Sequence, residues 1–73
     1  MITEEEFLKI ISKTLNENYS KVTLNSKHSD FKNWDSLSNI RIILELEKKT
    51  KKRLINLSNF ENLYELYDDI KKV

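Results

Sequence analysis

The chain has 73 residues, enough for one domain, and its 13 basic side chains nearly balance 12 acidic ones for a net charge of +1. A domain this small buries roughly 60% of the surface its unfolded chain exposes, so its core is thin. The absence of cysteine excludes a disulfide framework and a thiolate metal site, and the charge balance provides no global field toward nucleic acid or anionic lipid.

Glycine and proline are also absent. A sheet-rich fold of this length would need them at its turns, whereas helices joined by polar loops can do without. The expected class is all-α, in a single domain over residues 1–73. The start, "MITEEEFLKI", carries three glutamates and no long apolar run, which argues against a signal peptide or a membrane span. With the lack of cysteine, this makes a cytoplasmic protein without membrane contact the expectation.

Thr3 followed by Glu6 has the spacing of a capping box, and Ile2 with Phe7 that of a hydrophobic staple. Glu4, Glu5 and Glu6 suit the positive end of a helix dipole. Phe7, Ile10, Ile11 and Leu15 then recur at helical spacing, predicting a first helix to about Asn16. Residues 17–34, "ENYSKVTLNSKHSDFKNW", show no sustained period. A loop of this length inside a small domain is usually functional or pinned, and Val22, Leu24, Phe31 and Trp34 are the expected pins.

The second helix is predicted from about Ser36 to Lys49, with Asp35 as its N-cap. At helical spacing, Leu37, Ile40, Ile42, Ile43, Leu44 and Leu46 cover an arc of roughly 220°, about twice an ordinary core stripe. Arg41, Glu45, Lys48, Lys49 and Ser38 fill the polar remainder. Either this helix is central, or part of its face is kept for something not always present. Further on, Ser58 and Glu61 could cap a short turn of helix. Asn62 with Glu65 starts the last helix, which buries Leu63, Leu66, Tyr67 and Ile70. Three main helices and a short one predict a small antiparallel four-helix bundle, monomeric, whose core includes Phe7, Ile11, Phe31, Leu46 and Leu66.

Catalytic constellations find little here. His28, the only histidine, lies in the polar loop with no second ligand near it in sequence, so an exposed loop histidine is the simple reading and no metal site is expected. A phosphate-cradling loop needs glycine. Asp35 and Ser36 are adjacent, but a triad needs a base in reach and a third group to orient it, so Ser36 is not self-activated. The chain looks like a substrate for chemistry, not an enzyme. The run "KKTKKR", residues 48–53, reads as the solvated end of a helix offsetting its dipole; a nucleic-acid patch would call for a positive excess elsewhere.

"DSLSNIRIILELEKK", from Asp35, resembles an acyl carrier protein of the discrete, stand-alone type. That family opens its second helix with Asp-Ser-Leu after a long first loop. The likeness extends over essentially the whole chain, through a Trp-Asp-Ser-Leu variant and a closing "LSNFENLYELYDDI" similar to the family's third and fourth helices. The resemblance implies that Ser36 bears phosphopantetheine, donated by coenzyme A through a separate phosphopantetheinyl transferase, with Asp35 and Leu37 flanking it and meeting that transferase. It implies an acyl or aminoacyl group held as a thioester on the arm and presented to acyl-loading and acyl-using enzymes of a fatty-acid, polyketide, peptide or surface-glycan pathway. The start of a helix suits this, because its N–H groups and dipole favour a phosphodiester. Part of the apolar arc would meet partners and part would line a slot for the acyl chain. The partner surface is expected on Ile40, Arg41, Leu44, Glu47 and Lys48.

Two departures bear on the pathway. Arg41, Lys48 and Lys49 stand where housekeeping fatty-acid carriers usually have glutamate, and Ser38 replaces a frequent aspartate. They point away from housekeeping fatty-acid synthesis, toward enzymes matched to this surface. The rival readings are a helical protein interaction module without a prosthetic group and a nucleic-acid binder acting through residues 48–53. Only a carrier needs the Ser36 hydroxyl.

Overall fold

The computed structural model describes residues 2–54 and 60–72, and α1, Glu4–Leu15, starts in it at the capping box. The Thr3 hydroxyl accepts the Glu6 N–H at 3.1 Å, and the Glu6 carboxylate accepts the Thr3 N–H at the same distance. The staple residues Ile2 and Phe7 both bury in the core. One face of α1 closes over Phe7, Leu8, Ile11 and Leu15, while Ile10 is only half-buried. Leu8 therefore joins the stripe expected from Phe7, Ile10, Ile11 and Leu15.

Without glycine, both long helices must end on residues that carry a Cβ in the left-handed region, which favours glycine. Asn16 closes α1 at φ 56°, with the Glu17 N–H reaching back to the Ser12 carbonyl at 2.9 Å. Lys51 closes α2, Ser36–Thr50, at φ 58°, its N–H bonded to the Glu47 carbonyl at 2.7 Å. The Glu47 carboxylate then accepts the Leu54 N–H at 2.7 Å and turns the chain inward, leaving Leu54 fully buried.

α1 and α2 run antiparallel. Lys49 near the end of α2 meets Glu6 in the first turn of α1 at 2.9 Å, and Asn33, just before α2, donates to the Leu15 carbonyl at the other end at 3.3 Å. The Thr3 N–H, followed by Lys49, holds the Glu6 carboxyl down from an ordinary 4.5 to about 2. α3, Leu63–Lys72, starts under Asn62, whose side chain accepts the Glu65 N–H at 2.9 Å. Its Leu63, Leu66 and Ile70 are buried. Tyr67 packs its ring 5.0 Å from that of Phe7 and donates its hydroxyl to the Ile2 carbonyl.

The segment 17–34 has structure of its own: two 3-10 turns, Tyr19–Lys21 and His28–Asp30, among local hydrogen bonds. Ser26, buried, accepts the Thr23 N–H at 3.0 Å through its hydroxyl and the Leu63 N–H at 3.1 Å through its carbonyl. The Leu24 carbonyl accepts the Tyr64 N–H at 2.8 Å, so the loop caps the start of α3. Val22 and Trp34 are buried pins, while Leu24 and Phe31 pack against the core only partly buried; Phe31 is thus more peripheral than expected.

The described residues form an all-helical domain of three α-helices with no strand, the only sheet-like pairing among them being an isolated bridge between Lys27 and Asn62. The expected short helix beginning at Ser58 lies outside the described residues. The four-helix bundle predicted from the sequence is therefore described as three helices plus 3-10 turns. No helix among the described residues is long and apolar enough to cross a membrane.

Candidate functional site

Asp35 organises the start of α2. Its backbone is extended, and its carboxylate accepts the Ser38 N–H at 2.8 Å as the predicted N-cap. That backbone donor, with the Ser38 side chain, holds the Asp35 carboxyl below the usual carboxylate range. The Ser38 hydroxyl is tied to the Asn33 carbonyl at 2.6 Å, which fixes the chain's entry into the helix. Ser36, the first residue of the helix, is exposed, and its hydroxyl makes no hydrogen bond among the described residues. Its neighbour Leu37 is 59% exposed.

An open cleft of about 490 Å³ lies beside Ser36, lined also by Asp35, Asn39 and Ile40 and by His28 and Trp34 of the loop. His28 corrects the reading of an exposed loop histidine. It is half-buried, its ring 4.5 Å from that of Trp34 and stacked 5.4 Å from that of Phe60. The Asn39 side-chain oxygen accepts the indole N–H of Trp34 at 3.2 Å and lies 3.4 Å from Nε2 of His28. These contacts brace the loop against the first turn of α2. Neither Trp34 nor Phe60 is a metal ligand, and no group of three or more His, Asp or Glu that could hold a metal ion occurs among the described residues.

The wide apolar arc of α2 is divided by the fold. Ile42, Ile43 and Leu46 are fully buried, whereas Leu37, Ile40 and Leu44 are exposed. At 100° per residue the two sets point roughly 150° apart, so the helix has an apolar face on each side. Of the expected partner residues, Ile40, Arg41, Leu44 and Lys48 are exposed along α2, and Lys48 lies 3.5 Å from Glu45. Glu47 differs: it is half-buried and its carboxylate is committed to the Leu54 N–H. The basic run is likewise broken up, with Lys49 bridged to Glu6, Thr50 bonded to the Leu46 carbonyl and Leu54 buried behind it.

Sequence spacing missed α1's share of this surface. Ile10, Lys13 and Thr14 face Arg41, Leu44 and Lys48 across a recess of about 940 Å³. Ile10 belongs to the apolar stripe expected of α1, and its half-burial at the edge of that stripe leaves it facing the recess. No protein-family model, curated protein or solved structure matches the chain.

Proposed function

We propose that this chain is a carrier protein that bears phosphopantetheine on Ser36 and carries an acyl or aminoacyl group. The observation that carries the reading is the Ser36 hydroxyl, exposed at the first residue of α2 with no hydrogen bond among the described residues. A modifying enzyme needs such access, and a purely structural serine at a helix start would normally cap it. Here Asp35 does the capping, which leaves Ser36 available.

The surroundings fit a phosphodiester at this position. The helix dipole favours negative charge there, while the Ser38 N–H is already taken by Asp35. When attached, the arm supplies a terminal thiol for thioester formation. Ser36 would hold it, Asp35 would keep the helix start rigid, and Leu37 would offer an apolar contact to the transferase. The carrier itself would be non-catalytic, monomeric and served by separate loading and acyl-using enzymes. The three described helices and the long, braced first loop agree with a carrier-like arrangement; its fourth, short helix is part of the proposal.

Intact-mass measurement after incubation with coenzyme A and a broad-specificity phosphopantetheinyl transferase tests the reading. The wild type is expected to gain the mass of the arm and Ser36→Ala to gain nothing. No gain by the wild type, or equal gain by the variant, overturns it. The exposed stripe Leu37, Ile40 and Leu44 supports a second reading, an interaction module without a prosthetic group. That reading predicts no mass gain at all.

A further inference from the structure

Leu37, Ile40 and Leu44 are 59%, 44% and 46% exposed, on the side of α2 turned away from the core. Their i, i+3, i+7 spacing is that of helix anchors used between proteins. The stripe runs into the recess between α1 and α2, where Ile10 and Leu44 provide apolar lining and Lys13, Arg41 and Lys48 the positive charge. Three of the four lysines on α1 and α2 are bridged to an acidic neighbour: Lys9 meets Glu5, Lys49 meets Glu6 and Lys48 meets Glu45. Lys13 and Arg41 form no such ion pair among the described residues.

We propose that this recess and stripe dock an amphipathic helix of a partner protein whose apolar side is flanked by carboxylates. Leucine-like side chains of that helix would enter the recess, and its carboxylates would meet Lys13 and Arg41. A second copy of this chain is a poor occupant, because a two-fold interface would face the Lys13 and Arg41 patch with the same patch, and like charges across an interface are repelled. An anionic lipid surface is also disfavoured. The site is a recess between two helices, which a flat headgroup surface does not enter. That the partner is an enzyme serving the arm rests on the carrier reading; the docking itself does not.

The test uses the full chain carrying Ser36→Ala, so that it is independent of any modification. Two synthetic amphipathic helical peptides share a leucine face, one flanked by glutamates and one by lysines, and each is titrated into isotope-labelled protein at low and high salt. The glutamate peptide is expected to bind, shifting the amide signals of Lys13, Leu37, Arg41 and Leu44, and to weaken as salt rises. Adding Lys13→Glu and Arg41→Glu is expected to reduce its affinity by at least about tenfold. An unchanged thermal midpoint in that variant establishes that the loss is not unfolding. Equal binding of both peptides, absence of binding, or shifts confined to other helices overturns the proposal. So does self-association through Leu44, or binding of phosphatidylglycerol vesicles at these amides in place of the peptide.

Discussion

The two sides of α2 use the same kind of residue for opposite ends. Ile42, Ile43 and Leu46 on the inner side have no exposure, while Leu37, Ile40 and Leu44 on the outer side keep 44% to 59% of theirs. Neither the helix nor its composition makes that distinction. α1 packs against one side, while the other is covered only in part, at the cleft beside Ile40 and the recess beside Leu44. The difference teaches that surplus apolar surface on a helix in so thin a domain is a choice of face, with the core taking what the neighbouring elements can reach.

The sharpest way to break this comparison is to truncate one leucine from each side. Leu46→Ala should destabilise the domain by about 2–5 kcal/mol, since it removes buried atoms and leaves a cavity. Leu44→Ala should change stability by no more than about 0.5 kcal/mol, as surface substitutions do. Urea denaturation midpoints of the two variants check both. Equal losses would mean that the outer side is covered in solution, and equal indifference would mean that the helix is rotated from its described setting.

The start of α2 offers a smaller contrast between neighbours. Asp35→Ala should lower the thermal midpoint, because it leaves the Ser38 N–H without its cap. Ser36→Ala should be nearly neutral in the same thermal melts, its hydroxyl making no hydrogen bond among the described residues. A Ser36→Ala variant that loses as much as Asp35→Ala would assign the hydroxyl a structural task and weaken the case for it as a modification point.

At the far end of α2, acid should loosen the ion pair between Lys49 and Glu6. Glu6 titrates lower in the folded chain than in the unfolded one, about 2 against 4.5. Its contribution to stability is therefore complete above pH 4.5 and is lost as the pH falls toward 2. Asp35, also shifted down, adds to the same trend. Glu6→Gln should show a shallower decline in urea midpoint across that window. An unchanged slope would show that the Thr3 and Lys49 contacts do not persist in solution.

Much of the local structure was legible from single stretches of sequence. Thr3 with Glu6, Asp35 before Ser36, and Asn62 before Glu65 all cap the helices they were expected to cap, because a capping bond joins residues only three apart and needs no neighbour to complete it. The accessible serine at the start of α2 follows from the same local rule. The outcome for His28 did not. Its ring is enclosed by Trp34 and by Phe60, which arrives from the far side of the sequence, so no local pattern marks it as half-buried.

By itself, then, the sequence determined the helical class, the starts of the helices, the Ser36 hydroxyl at the first residue of α2 and the excess of apolar residues behind it, since these depend on composition and short-range hydrogen bonding. Which half of that apolar arc is buried, the capture of the Leu54 N–H by Glu47, and the meeting of Ile10 and Lys13 with Arg41 and Leu44 were decided only by tertiary structure. Each needs segments distant in sequence to arrive at one place, and periodicity within one helix records how far its apolar surface extends but not what comes to cover it.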